Sequence, residues 1–460
     1  MTEHTTTECL LFPDIFDRPV VAKFDQRQGS SDGGAILLQA ADRRLGLTAG
    51  LAACLQDKRQ PGKVRHELHE LLTQRIMAMA CGYEDANDAA RLACDPIHKL
   101  LVGRDPVKGE DLASQPTLSR FENAPDRKEL LRMTEALADR VIERHRKRLH
   151  GRTRRITIDL DPTDDPTPGQ QQLSFFNTHY DTYCYLPVVA FLTFDDEPDQ
   201  YLVAAVLRPG NACGSRGAVG ILSRLIARLM EAFPKVVIRV RLDGGFAAPE
   251  VLDFLDAQPQ LKYVVNMASN KVLQRLVEPA MRTARRLSKE SGETEHIYGE
   301  FRYKTKKTWK HKRRITYKAE VTRHPNRDPK DNPRFVVTNM KQSPQWLYED
   351  VYCQRGDLEN RIKELHYGME IGRTSCTDFW ANQFRVLMTA AAYILMQELR
   401  LRLARTNSAR AQVATLRERF LKIGVQVVTS VRRIVLHFPQ AFPFQDPFSR
   451  LALSLGAQTG

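Results

Sequence analysis

Long apolar runs are missing from this 460-residue chain. The longest nearly uncharged stretch, Val386 to Met396, is closed off by Arg385 and Glu398. It falls well short of the roughly 20 residues that a membrane-spanning helix needs, so no transmembrane segment is expected. Paired cysteines are missing too. Eight cysteines are scattered at positions 9, 54, 81, 94, 184, 213, 353 and 376, with no C-x2-C spacing, and a chain of this length needs no disulfide staples. Structural zinc is not expected. The opening MTEHTTTECLLFPD has Glu3 and Glu8 but no basic segment ahead of an apolar core, so it does not read as a secretory signal and the cytosol is the expected compartment. There is no internal repeat and no low-complexity tract.

The apolar material that is present, 42% of residues against 27% charged, excludes wholesale disorder. The length implies at least two folded units. Charge is the informative bulk property: 69 Lys and Arg against 55 Asp and Glu leave a formal net charge of +14. A polyanion is the natural partner, nucleic acid first and an acidic membrane surface second.

From about Asp32 to Arg148 apolar residues recur at helical spacing, as in Leu68, Leu71, Leu72, Ile76 and Met79, so residues 1–150 are expected to be mainly helical. Within SQPTLSRFENAP, Pro116 opens a short helix carrying Arg120. A DNA-reading turn and helix fits this pattern, and so does an ordinary capped helix in a bundle. The basic junction RHRKRLHGRTRR, at 144–155, marks a boundary. After it, Ile156, Ile158 and Leu160 alternate with Thr157, Asp159 and Asp161, the period-two signature of a strand. Across 151–273 the expected order is strand, strand, strand, helix, strand, helix, strand. Residues 274–340 break that order as a basic β-rich insertion, 341–405 return to helix, and 406–460 form a C-terminal helical region with a possible strand at Val425 to Phe438, where β-branched residues concentrate.

Asp159 and Asp161 lie on one face of an otherwise apolar strand, and two carboxylates there need charge compensation, which a divalent cation would supply. Asp164 and Asp165 in the following turn have the look of solvated acids. Asp243 ends KVVIRVRLD, and Gly244 and Gly245 after it allow a sharp turn and close approach of a ligand. In YCQRGDLENRIKELHYGM, Leu358, Ile362, Leu365 and Met369 form one helical stripe, with Arg355, Glu359, Lys363 and His366 beside it. Alone, the second stripe is also what a solvated i,i+4 ladder looks like. A first strand with Asp, a fourth strand ending in Asp and a later helix with Glu together make a ribonuclease-H-like arrangement for two-metal phosphoryl transfer. Hard oxygen ligands favour Mg2+ or Mn2+, two ions, with Asp159 counted among the ligands.

The stretches DLDPTDDPTPGQQQLSFFNTHYDTYCYLP, RLDGGFAAPEVL and YCQRGDLENRIKEL, with SDGGAILL and SQPTLSRFENA earlier, resemble the DDE transposases of bacterial insertion sequences, most closely insertion-sequence family 1380. The resemblance covers nearly the whole chain. It implies an α/β fold with a ribonuclease-H-like mixed-sheet core, a basic β-rich insertion and flanking helical segments. The implied activity is cut-and-paste transposition: binding of terminal inverted repeats, metal-dependent cleavage and strand transfer into target DNA by a homodimer in the bacterial cytoplasm, associated with the nucleoid. A nuclease without strand joining and an inactive DNA-binding descendant are the alternatives. Carried over, Asp161, Asp243 and Glu359 match the catalytic triad, with Asp159 a rival for the first place. Related transposases carry Tyr, two residues, Arg, three residues, Glu, six residues, Lys. Tyr352, Arg355 and Glu359 match, but His366 stands at the last position, and Lys363 is one turn earlier. Tyr352, Arg355 and one of these two cations would hold the DNA end. In the insertion, nine Lys or Arg fall among the seventeen residues from Arg302 to Lys318. There Lys306, Lys307, Lys310, Lys312 and Arg313 suit phosphate contact and Trp309 suits base stacking, as against a merely solvated hairpin.

Overall fold

The computed structural model describes residues 9–459. Three helices carry most of the amino-terminal part. Helix α1 (Leu68–Cys81) is buried from Leu71 onward and ends at Gly82, whose φ of 90° suits a residue without Cβ. Helix α2 (Gln115–Glu122) follows Ser114 with Pro116 in its first turn, as the sequence predicts. Helix α3 (Arg127–Arg148) opens with a reciprocal cap: the Asp126 carboxylate accepts from the Lys128 and Glu129 amides, and the Glu129 carboxylate accepts from the Asp126 amide.

The chain then enters a large mixed sheet. Strands β1 (Arg155–Pro162), β2 (Val188–Phe194) and β3 (Tyr201–Val206) form an antiparallel meander. Strand β4 (Val237–Leu242) pairs parallel with β1, and β5 (Leu261–Met267) pairs parallel with β4. In residues 274–340, read from the sequence as an insertion, a helix is followed by strands that continue the same sheet. Strands β6 (Glu295–Tyr303), β7 (Arg313–Thr322) and β8 (Arg334–Thr338) join through an antiparallel β5–β8 contact. The order across the sheet is β6-β7-β8-β5-β4-β1-β2-β3. Its β3-β2-β1-β4-β5 half is the ribonuclease-H arrangement. Every residue of β2 is buried, as befits a strand covered on both faces.

Five further helices complete the core: α4 (Ala218–Ala232), α5 (Pro249–Asp256), α6 (Lys271–Ser291), α7 (Gly356–Lys363) and α8 (Phe379–Arg402). Helix α8 is buried nearly all round, as a helix in the middle of a large protein must be, and packs on α1 and β3. The apolar run Val386 to Met396 is therefore core. Among the described residues no helix is long and apolar enough to cross a membrane. Residues 406–460, assigned to a helical region, also hold a β-hairpin, Val425–Thr429 with Ile434–His437, where the β-branched run lies. The first of these strands also pairs with Gly29–Ser30, joining the two ends of the chain.

Glu364 ties α7 to α8. Its carboxylate, 5% exposed, accepts from Arg400 at 2.7 Å, Arg361 at 2.8 Å, the Tyr393 hydroxyl at 2.8 Å and the Val413 amide at 3.2 Å. Removing one member of such a buried network leaves uncompensated charge. Glu364→Ala is expected to lose about 3–5 kcal/mol of stability in denaturant unfolding, and a loss below about 1 kcal/mol would show that solvent reaches the arginines.

Candidate active site

The first strand carries Asp159 and Asp161 inward on one face, and their neighbours give them different roles. Asp159 is fully buried, and Arg241, its direct partner across the β1–β4 register, meets both of its oxygens at 2.7 and 2.8 Å. The third arm of the same guanidinium donates to the Val351 carbonyl at 3.0 Å. The compensation that the sequence reading assigned to a cation at Asp159 thus comes from arginine. Both Asp159 oxygens are committed, which separates it from Asp161.

Asp161 is one step from the strand end, 9% exposed, and opens toward Asp243 at the end of β4. Asp243 Oδ1 accepts from the Gly245 amide at 2.9 Å, which leaves Oδ2 free to face the site. The turn here is tight because Gly214 crosses it: a Cβ on Gly214 would lie 2.6 Å from the Gly245 carbonyl oxygen. The Arg355 guanidinium sits between the two acids, Nη2 being 2.7 Å from Asp161 Oδ1 and 3.9 Å from Asp243 Oδ2. Burial pushes the Asp161 carboxyl up to about 7. Arg355 works against that rise, and the charges of Asp243, Asp159 and Glu359 add to it. One guanidinium therefore does not balance the acids collected here. Arg355 Nε, meanwhile, is buried with no hydrogen-bond partner among the described residues.

Glu359 lies in the first turn of α7 and is exposed, close enough for its charge to act on Asp161. Helix α7 is flanked by two wide, i→i+5 turns, Leu347–Tyr352 before it and Glu364–Gly368 after it. Such turns gather at functional sites. The second one brings His366 inward, where Nε2 shares a 2.6 Å hydrogen bond with Thr163 Oγ1. Burial lowers the His366 pKa, with only Asp164 opposing, so the imidazole is neutral at pH 7. Burial thus works against the cationic clamp considered for His366 in the DNA-free chain, because it disfavours the charged ring. Lys363 is exposed, and no carboxylate among the described residues lies within ion-pair distance of it.

In the basic segment Trp309 is 5% exposed. It packs edge-on against Tyr303 and lies under the Arg313 guanidinium, 4.7 Å from the ring centre. Arg313 in turn pairs with Asp253 and Asp256 of α5 at 2.6 and 2.7 Å. The stacking role given to Trp309 and the phosphate role given to Arg313 are corrected accordingly: both anchor the hairpin to the core. Lys310 is drawn to Asp253 at 3.3 Å. Lys306, Lys307 and Lys312 remain exposed. Arg120 is exposed on α2, its nearest polar contact the Thr117 hydroxyl at 3.3 Å. Tyr352 is half-buried beside Arg355 and Asp243.

Residues 12–458 match the family described as transposase DDE domain group 1. The chain belongs to that family. No curated protein matches it. As a DDE transposase it is a DNA-cleaving and DNA-transferring enzyme, and divalent metal is the cofactor of the family.

Two participants in the transposase site escaped the sequence reading. Arg241 looked like one more basic residue on a strand. Tyr180, whose hydroxyl is held up by burial and then by Asp164, Asp161 and Asp243, sits in the NTHYDTY stretch, and its nearness to the acids was the only signal available. The early SDGG motif has a structural explanation. A Cβ on Gly34 would fall 1.7 Å from the Phe420 carbonyl oxygen. Asp32, His98 and Cys81 form a buried group of potential ligands, but Asp32 already receives His98 at 2.9 Å and Lys422 at 2.8 Å. Burial alone would raise the Asp32 carboxyl, and those two partners outweigh it and hold it low. An ammonium in contact with the carboxylate serves as the counter-charge there.

Two outcomes follow for the metal-free transposase. Asp159→Ala strands the buried Arg241 charge and is expected to lose about 3–5 kcal/mol, whereas Asp161→Asn, which relieves repulsion, should not destabilise. Equal losses in chemical denaturation would contradict the division of roles. Asp165 supplies a pH signature. Its Oδ2 accepts from the Thr374 hydroxyl at 2.8 Å, Oδ1 has no partner, and burial, with Asp164 adding, pushes the carboxyl up to about 8. A folded pKa above the unfolded ~3.9 means stability that is full below about pH 4 and is lost as pH rises through 8. Melting temperature should fall over that window, and Asp165→Asn should make the fall shallower, with the Asp161 contribution remaining. An unchanged slope would place the ionisation elsewhere.

Proposed function

We propose that this transposase binds the terminal inverted repeats of a bacterial insertion sequence, cuts the ends and joins them to target DNA, and that it lies within insertion-sequence family 1380. The observation that carries the reading is the convergence of Asp161 and Asp243 on Arg355, with Glu359 beside them and Arg355 Nε left without a partner. The unbalanced carboxylate charge suits divalent cations with oxygen ligands, and Asp161, Asp243 and Glu359 would hold them. Two Mg2+ or Mn2+ ions in that position would activate the attacking water or 3′-hydroxyl and stabilise the leaving oxygen.

The remaining work falls to the chain. Arg355 holds the carboxylates together in the DNA-free state and offers its free donor to a phosphate oxygen of the DNA end. Tyr352 beside it packs against the sugar or base. Lys363 supplies the second cation in the place where related transposases have lysine, and His366 positions Thr163 and the β1 exit. Away from the centre, a cleft of about 1230 Å3 separates α2 from the 56–66 segment, with Lys63, Arg65 and Arg120 along it. Together with Lys306, Lys307 and Lys312, these suit the phosphate backbone of double-stranded DNA. Pairing two ends calls for two copies of the chain. The expected place of action is the bacterial cytoplasm, at the nucleoid.

The test is Mg2+-dependent cleavage and strand transfer on a DNA fragment bearing the element's ends. Asp161→Ala, Asp243→Ala and Glu359→Ala should each reduce cleavage by at least about a thousandfold with end binding within about threefold of wild type. Cleavage without joined product would favour a nuclease, and binding without cleavage in the wild-type chain would favour an inactive descendant. An Asp161→Ala chain that still cuts would remove that residue from the triad.

A further inference from the structure

Between Leu10 and Phe24 the chain displays apolar side chains that no other described residue covers. Leu10–Phe12 and Val20–Ala22 pair as an antiparallel ribbon, with Leu11 opposite Val21 and Phe12 opposite Val20. Both faces are exposed: Leu10, Phe12 and Val20 on one, Leu11 and Val21 on the other. The tip adds Ile15 and Phe16, each more than 60% exposed, and Phe24 beyond the ribbon is 88% exposed. A two-stranded ribbon has marginal stability by itself, and contiguous exposed apolar surface marks an interaction site. The base of this arm is held by the Gly29–Ser30 pairing with Val425 and Gln426 and by the Val427 amide donating to the Gln28 carbonyl at 2.9 Å.

A groove elsewhere on the chain complements the tip. It lies between α3, β3 and α4, encloses about 530 Å3, and has Leu130, Leu131, Val203, Leu207 and Ile221 along its floor. Arg127 and Arg216 stand on its rim and are exposed. Among the described residues neither lies within ion-pair distance of a carboxylate, and Arg127 rests over the Trp380 ring at 5.9 Å. The tip reads Asp14-Ile15-Phe16-Asp17, two apolar residues between two acids. Asp17 touches only its neighbour Arg18, at 3.9 Å.

We propose that the arm of one copy seats in this groove of a second copy, with Ile15 and Phe16 on the apolar floor and Asp14 and Asp17 against Arg127 and Arg216. Two chains exchanging arms form a closed two-fold dimer in which each groove is filled once. The choice of a second copy as occupant rests on the transposase reading, because pairing two DNA ends requires two chains. Covering the arm removes its exposed apolar side chains from water and places a basic rim against acids of opposite sign.

The test uses the full-length chain without DNA, in sedimentation velocity across a concentration series. A dimer is expected, and Ile15→Asp with Phe16→Asp should raise its dissociation constant at least tenfold while far-UV circular dichroism stays unchanged. Asp14→Arg with Asp17→Arg should weaken the dimer as well, and adding Arg127→Asp with Arg216→Asp should restore it. In a background in which the exposed Cys9, Cys94, Cys213 and Cys353 are changed to Ser, mixing a Phe16→Cys chain with a Leu131→Cys chain under oxidation should give a covalent heterodimer that neither chain forms alone. A monomer at every concentration, a dimer indifferent to the arm, or a cross-link formed within one Phe16→Cys/Leu131→Cys chain would each overturn the proposal. DNA cleavage is read separately. A chain that cuts ends while its dimer ignores the arm refutes only the arm, and one that dimerises through the arm but never cuts refutes only the transposase reading.

Discussion

The Arg241 guanidinium is the constraint on which the site depends. It comes from β4, takes both oxygens of Asp159 on β1, and reaches the Val351 carbonyl in the wide turn that leads to Tyr352, Arg355 and α7. The three pieces of chain that bring the first acid, the second acid and the glutamate are therefore joined at one buried group. A bidentate pair fixes direction as well as distance. With Asp159 held this way, Asp161 two residues on points to the same face and is left open at the strand end. The pair is costly to bury, but the register that places Arg241 directly opposite Asp159 keeps every oxygen satisfied.

The neighbouring cluster is built on the opposite principle. Asp161, Asp243 and Glu359 gather around the single guanidinium of Arg355, and burial first, with the neighbouring acids adding to it, pushes the Asp161 carboxyl up to about 7. Such an arrangement works against stability in the empty chain. On the proposed reading, the same repulsion would favour a divalent ion held by these carboxylates. Elsewhere buried charges are matched pairwise: Glu364 with its two arginines and a tyrosine, and Arg313 with Asp253 and Asp256.

The added strands explain how a basic segment is carried without a separate core. Strand β5 would otherwise expose a free edge with buried Val264 and Val265. Pairing with β8 removes that edge and extends one hydrophobic surface through Phe335 and Val337. The hairpin between β6 and β7 is then pinned down by Trp309 and Arg313, which leaves the lysines of the loop facing outward with Thr308 and His311.

Much of this was legible in the amino-acid order because it is local. The alternation from Ile156 to Asp161, the β-branched ends of β4 and β5, the capped helix after Ser114 and the apolar stripe through Leu358, Leu365 and Met369 each follow from periods of 2.0 or 3.6 residues. The same periods placed Asp161, Asp243 and Glu359 at element ends or on the rim of a helix. What the order of residues did not reveal were the partners. Asp159 and Arg241 are 82 positions apart, Arg313 and Asp253 are 60 apart, and nothing local distinguishes an acid that will meet a guanidinium from one that will meet a cation. The place of His366 shows the same limit. A straight helix would carry it along the Arg355, Glu359, Lys363 stripe, and only the wide turn at Glu364–Gly368 carries it inward to Thr163. Local pattern therefore determined which elements exist and which faces hold charge. Tertiary structure alone decided which charges are neutralised inside the protein and which stay without a counter-charge, because that depends on strand register and burial between residues far apart in the chain.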